Sequence, residues 1–329
     1  MSLTTLDLLV HAPPRGEAVV WGIPLDLGKD NTGTDTGPDF LRRRGLLRML
    51  EQTGISYRDL GNVPCPRREG LAMGDKRVKY LAPIVEVVTA VASCVREEVG
   101  QGRRVIALGG DHSISLGTIS GAALSYQGEL GLIYIDAHPD AMTDENSLSG
   151  NIHGMVTSAL LGFGHSSLVN ILQPGPKIKP ERLLFIGIKD LDQGEIDFIQ
   201  EHHLTAFSPL DIDLDGLRPV AAAIDQLAKR VKNIWISFDI DSVDSHFAPA
   251  TPMSSAGGLT YREIDTLSKY IGKRCNVVGM DIVECMPAGE VGNKTASTAI
   301  SVAAHLLGAQ YGWYTHYIEQ EATKQRFRE

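Results

Sequence analysis

A three-layer α/β fold, with a mainly parallel sheet of about eight strands between helices, is what this sequence predicts. Two observations lead there. Short apolar runs recur over the whole length and alternate with helix-period segments, the pattern of strand–helix–strand units. Several runs are nearly continuous in Val, Ile and Leu, as strands covered on both faces are.

The first strand candidate is AVVWGI at Ala18–Ile23. A helix pattern follows at Pro38–Gln52, with proline near its start, where a missing N–H costs little. Its basic run Arg42-Arg43-Arg44 reads as a solvated face. ISYRDL at Ile55–Leu60 is the second strand, and Lys76–Val99 reads as one helix with a long apolar stripe. RVIALGG at Arg104–Gly110, GLIYID at Gly131–Asp136, RLLFIGI at Arg182–Ile188 and LTAFS at Leu204–Ser208 continue the strands. Helix patterns at Leu217–Val231 and Tyr261–Ile271 flank the strand IWISFDID at Ile234–Asp241. Thr260 and Glu263 have capping-box spacing ahead of the second of these helices. NVVGMDIV at Asn276–Val283 is the last strand and Thr295–Leu307 the last clear helix. No repeat interrupts this order, and the Pro/Lys-rich Gln173–Glu181 reads as a loop, so residues 1–329 are read as one domain.

Composition narrows the function. The chain is 43% hydrophobic and 22% charged, close to the average soluble protein. A net charge of −9 argues against nucleic acid or an anionic membrane as the main partner, and suits a small cationic one. Cys65, Cys94, Cys275 and Cys285 form no CxxC pair and read as buried thiols of a reducing compartment. No Lys or Arg precedes Arg15, and the apolar run around Val85–Val95 is too short to span a membrane. A cytoplasmic protein is the expectation.

Acidic and imidazole residues gather where the strand patterns end. Asp111-His112 follows the third strand. Asp136, His138 and Asp140 follow the fourth, Asp239 and Asp241 end the seventh, and Asp281 and Glu284 end the eighth. In open parallel sheets, ligands bind beyond the carboxyl ends of the strands. Residues two apart in an extended chain point the same way, about 6–7 Å apart. Asp136, Asp140, Asp239 and Asp241 would carry four negative charges and repel one another unless compensated. Two divalent cations cancel that charge and together form a hydrolytic unit. Oxygen-rich ligands with two imidazoles favour a harder ion such as Mn²⁺ over structural Zn²⁺, although other divalent ions fit the same donors.

GGDHS at Gly109–Ser113, DAHPD at Asp136–Asp140, SGNIHGM at Ser149–Met155, SFDID at Ser237–Asp241 and DIVECMP at Asp281–Pro287 resemble the ureohydrolase (arginase/agmatinase) family in content and order. GTDTGPDFLRRRGL near the start resembles the arginase form of that segment. The resemblance implies two Mn²⁺ per chain, one held by His112, Asp136, Asp140 and Asp239 and the other by Asp136, His138, Asp239 and Asp241. It implies a metal-bridging hydroxide that attacks a guanidino carbon and releases urea, L-arginine to L-ornithine before other substrates. His153 matches the proton-relay histidine, Glu284 the glutamate that pairs with the guanidinium, and Asp140 belongs to the catalytic set. Ser149 and Asp192 match contacts to the amino acid head of the substrate. The resemblance also implies a homo-oligomer, trimer or hexamer.

Three departures fall on the expected substrate rim. Met142 stands where arginases carry asparagine, Ser245 stands where a proline follows the aspartate, and ATPMS with Met253 replaces ATGTP. They keep open a ureohydrolase for another guanidino or amidino compound. A non-catalytic relative acting as a binding subunit is the reading from another class, and metal content with a urea assay separates it. Agmatinase proper fits less well, because of Asp192 and the N-terminal segment, and a single-zinc deacetylase would need adjacent histidines at the motif edge. His246 is a candidate for the mouth of the site, whereas His202-His203, His305 and His316 read as surface or structural.

Overall fold

The computed structural model describes Asp7 and residues 16–311. Among these, eight strands pair in parallel in one sheet: β1 Ala18–Ile23, β2 Tyr57–Asn62, β3 Arg104–Gly109, β4 Leu130–Ile135, β5 Leu183–Ile186, β6 Thr205–Phe207, β7 Asn233–Asp239 and β8 Asn276–Val283. Their spatial order is β2-β1-β3-β8-β7-β4-β5-β6. The helices are α1 Gly37–Arg43, α2 Leu46–Gln52, α3 Leu81–Gly100, α4 Ser115–Ser125, α5 Val156–Leu160 and α6 Ser166–Val169. They continue with α7 Gln193–Glu201, α8 Pro209–Asp215, α9 Arg218–Arg230, α10 Tyr261–Arg274 and α11 Lys294–Leu306. No helix among the described residues is long and apolar enough to cross a membrane.

Strand side chains alternate between two cores, one on each face of the sheet. Val105 and Ala107 of β3 join Ile84, Val88, Val91 and Val95 of α3. Ile106 and Leu108, the residues between and after them, join Leu267 of α10 and Ile300 of α11. The period-two geometry of a strand thus sends one apolar run to two helix layers. At the margins the burial changes. β2 is a polar, largely exposed edge, and β6 is three residues long; short or polar edges resist further pairing.

Differences from the sequence reading have local causes. The expected helix at Pro38–Gln52 is two helices, because Gly45 takes φ 108°, outside the helical region. Arg42 is not a purely solvated residue: its guanidinium grips both carboxylate oxygens of Asp59 on β2, at 2.9 and 2.8 Å. The helix expected from Lys76 begins at Leu81. The helix α4 carried no readable period, because its side chains are small or apolar and Ser115–Ala123 are all buried. Cys275 and Cys285 are buried as expected, but Cys65 and Cys94 are half-buried, and all four are free thiols.

Helices α3 and α4 pack at backbone distance. A Cβ on Gly121 would lie 2.3 Å from the Ala92 carbonyl oxygen. In an isolated helix, glycine to alanine gains about 1 kcal/mol. Here the new methyl meets backbone that cannot swing aside, and overpacking costs about 1–3 kcal/mol. Gly121→Ala is therefore expected to lower the urea midpoint of unfolding, and a raised midpoint would show that the two helices separate freely.

Candidate metal centre and substrate cleft

The carboxyl ends of β3, β8, β7 and β4 stand side by side in the middle of the sheet. β3 runs into a short turn in which the Asp111 carboxylate accepts the Ser113 N–H at 2.9 Å, and that turn carries His112. β4 delivers Asp136 to Asp140, β7 delivers Asp239 and then Asp241, and β8 delivers Glu284.

These residues converge. His112 Nδ1 lies 3.0 Å from Asp136 Oδ2 and 3.2 Å from both Asp140 Oδ2 and Asp239 Oδ2. His138 Nδ1 lies 3.3 Å from Asp241 Oδ2 and 3.5 Å from Asp136 Oδ1. Asp136 therefore turns one oxygen to each imidazole. The six expected ligands thus meet at one edge, where His112, Asp136 and Asp239 could hold one ion and Asp136, His138 and Asp241 a second. His112 Nδ1 and Asp136 Oδ2 face each other, buried, and neither makes a hydrogen bond of good geometry. Leaving such an atom unpaired costs about 1–3 kcal/mol. A cation between them satisfies both, and the mixed imidazole–carboxylate set suits a divalent metal.

The electrostatics agree. Burial and the Asp136 charge push the Asp140 carboxyl up to about 7. Burial and the Asp241 charge raise Asp239 well above its usual range, and Asp241 is raised by burial and Asp136. Burial opposes charge on His112 and His138, yet the facing Asp136 carboxylate lifts both above the ordinary histidine value. Burial would also raise Asp136, but those two imidazoles pull it down instead.

Other residues orient the side chains of this cluster, and sequence reasoning passed over several. Ser237 Oγ lies 2.8 Å from His112 Nε2, and Tyr134 stacks on the same ring at 4.7 Å. That leaves Nδ1 to face the cluster. The Tyr134 O–H also donates to Asp140 Oδ2 at 2.6 Å. Buried Glu195 accepts the Ala141 and Asp192 N–H groups, each at 3.1 Å, and so fastens the DAHPD loop to α7. Asp192 and Glu195 have capping-box spacing, a signal that was available in KDLDQGE. Asp140 and Glu284 adopt φ 49° and 60°, a region costly for residues with a side chain and common at functional sites. Asp281 lies apart from the cluster, fully buried, accepting from Trp235 Nε1 at 2.9 Å and Ser115 Oγ at 3.0 Å.

Glu284 stands beside this cluster. Its Oε1 accepts the His112 N–H at 3.0 Å and lies 3.7 Å from His153 Nδ1. Its Oε2 accepts from the Lys29 ammonium, which sequence reasoning also missed. Burial would raise Glu284, but the charges of Lys29 and His153 hold it at about 2. Burial opposes charge on His153 too, yet Glu284 lifts it above its usual value.

The expected rim is less uniform. Ser149 and Asp192 are exposed, and Met253 is 47% exposed. Met142 is 9% exposed and belongs to the core beneath the loop, so it does not lie open at the rim. His246 is exposed, and His202 packs against Phe163 and Phe198. His305 is buried as a structural residue, but it does have an acidic neighbour, Asp265 Oδ1 at 3.3 Å. His316 lies outside the described residues.

The raised Asp140 gives a pH signature. Its usual value is 3.8, so between there and about 7 the folded, metal-free chain holds a proton that the unfolded chain has lost. The stability it contributes is complete below the unfolded value and is lost as pH rises through about 7. The raised His112 and His138 act in the same direction above the ordinary histidine value. Metal-stripped protein is expected to lose Tm between about pH 6 and about pH 8, and a saturating divalent cation should remove that loss. A stripped protein more stable at the higher pH would contradict this charge arrangement.

Comparison with known proteins gives the same picture from outside. The family model described as "Arginase family" matches residues 16–308. Arginase of Bacillus caldovelox is 38% identical over 289 residues, 87% of this chain and 96% of the relative. Arginase of Bacillus subtilis is 35% identical, over 88% of this chain and 97% of its own. The native Bacillus caldovelox arginase structure at pH 5.6 superimposes with a TM-score of 0.86, at 37% identity, over 91% of this chain and 100% of that one. A parallel sheet that brings these carboxylates and imidazoles to one edge, matched over nearly its whole length, makes this chain a member of the arginase family, hydrolases of the amidinohydrolase type.

Proposed function

We propose that the protein is a binuclear manganese ureohydrolase that converts L-arginine, before other small cationic guanidino compounds, to L-ornithine and urea. The observation that carries this reading is the pair of imidazole–carboxylate clusters sharing Asp136, with Glu284 and His153 beside them. The arginase relatives support the substrate class. A cytoplasmic homo-oligomer, trimer or hexamer, completes the proposal.

In this reading His112, Asp136, Asp140 and Asp239 hold one Mn²⁺, and Asp136, His138, Asp239 and Asp241 the other. When bound, the two ions supply a water acidic enough to react as hydroxide near neutral pH. Glu284 turns the guanidinium so that its carbon faces the cluster, through paired N–H···O contacts. His153 holds a proton beside Glu284 and passes it to the departing amine. Asp140, fixed by the Tyr134 O–H, serves as a ligand and as an acceptor at the reacting centre. Ser149 and Asp192 receive the α-carboxylate and α-amino groups. The exposed Met253 favours a second reading, in which another guanidino compound lacking that amino acid head is the better substrate.

Urea release from a panel of guanidino compounds by Mn²⁺-loaded protein tests the proposal. Release from arginine is expected, and a loaded protein that releases urea from none of them would end it. His153→Ala should slow turnover by about 10²–10⁴-fold while the metal content stays near that of the parent. If the metals leave as well, His153 is a structural residue. Asp192→Ala should raise KM for arginine by about ten- to a hundredfold and alter kcat less, as expected for a charge-assisted contact remote from the reacting carbon. An unchanged KM would remove Asp192 from the substrate site.

A further inference from the structure

Lys29 is 3% exposed, and its ammonium is paired with the carboxylate that the proposed reaction needs for the guanidinium. A buried lysine is rare, and this one is held in place from its backbone. The Gly28 N–H donates to Asp111 Oδ2 at 2.7 Å, and the Gly28 carbonyl accepts the His153 N–H at 3.0 Å. Arg68 Nη2 donates to the Lys29 carbonyl and, at 2.9 Å, to that of Asp26. Asp26 in turn accepts the Gly33 N–H at 2.6 Å and the Thr34 hydroxyl at 2.8 Å. The segment after β1 is thereby tied to the β3 turn, to the His153 segment and to Arg68. Lys29 cannot leave Glu284 by a simple loop swing.

Both Glu284 oxygens are already engaged. Oε2 takes the ammonium, and Oε1 takes the His112 N–H with His153 nearby. A guanidinium binds a carboxylate best with two parallel N–H groups, one on each oxygen. To do so here it must displace the ammonium or share the carboxylate with it, cation against cation. Every part of that obstacle belongs to this chain's own residues.

We propose that Lys29 is a specificity-determining residue, an internal cation that occupies the guanidinium anchor and sets the charge of the substrate the cleft accepts. The inference rests on the ureohydrolase reading above and deepens it. A guanidinium that stays fully charged binds weakly. A weakly basic analogue that can enter uncharged, such as an acylguanidine, escapes the repulsion. Lys29 acts through Glu284 and is not itself a catalytic residue.

The test removes the charge and keeps a donor. In Mn²⁺-loaded Lys29→Gln, KM for arginine should fall by about ten- to a hundredfold, the scale of one charge-assisted contact. Lys29→Met serves as the second variant should the glutamine chain fold poorly. A readout independent of turnover is calorimetric titration of the Mn²⁺-loaded protein with methylguanidinium and with acetylguanidine, at a pH where the latter is neutral. Methylguanidinium should bind tighter to the variant by at least about tenfold, and acetylguanidine should change by no more than about twofold. A purely structural role would move both probes together. Unchanged or weaker methylguanidinium binding in the variants overturns the proposal. If no variant releases urea yet the two probes still separate, the ureohydrolase reading fails and the role of Lys29 stands.

Discussion

Four carboxylates buried at one edge of the sheet are the constraint on which the rest of this structure depends. Asp136, Asp140, Asp239 and Asp241 are each 5% exposed or less. Two unit charges about 4 Å apart interact by about 4 kcal/mol at an effective dielectric of 20, so such a set cannot stay ionised uncompensated. Burial and mutual repulsion raise Asp140, Asp239 and Asp241, and the carboxylates in turn raise His112 and His138. Within that set His112 Nδ1 and Asp136 Oδ2 face each other, buried and without a well-formed hydrogen bond. Divalent cations satisfy these atoms and the charge together.

The fold supplies most of that convergence through the ends of its strands. In a parallel sheet every strand leaves at the same edge, and the order β3-β8-β7-β4 makes four donor-bearing ends neighbours although the chain reaches them far apart. Each end is then fixed by a local device. Asp111 caps the His112 turn, Tyr134 reaches from within β4 to Asp140, and the Asp241 N–H closes on Asp239 Oδ1 at 2.8 Å. The φ 60° at Glu284 turns its carboxylate toward the cluster, while its N–H bonds the Gly110 carbonyl at 2.9 Å. Precision in the site comes from strand ends and their caps, which are the stiffest parts of such a sheet.

How much of this was legible in the sequence depends on what had to be known. The strands could be read because apolar runs covered on both faces announce themselves, and β1 and β8 have the bounds expected of them. Residues at alternate positions could be grouped because strand geometry is local, which is why DAHPD and SFDID suggested one centre. Helix α4 could not be read, since a helix buried all round has no polar face to set a period. The rim positions at Met142 and Met253 share a residue type and differ only in tertiary burial, 9% against 47%. Lys29 is the sharpest case. A lysine in a Gly- and Asp-rich loop reads as solvated, and only the fold shows that Glu284 and not water receives it.

Charge balance joins these threads. Two divalent cations would neutralise the four aspartates, which leaves Glu284 as the anion that could draw a guanidinium into the cleft. Lys29 cancels that last charge from within the chain. The pocket a substrate meets is then near neutral, and the overall charge of −9 acts only at long range, where salt screens it. If Lys29 acts as proposed, attraction into the mouth and recognition at the reacting carbon are separate: the overall charge favours a cation, while Glu284 already holds one. Discrimination by such a site comes from the partner left unsatisfied. A ligand that displaces the ammonium leaves a buried lysine charge without its carboxylate, and one that does not must share the carboxylate with it, cation against cation.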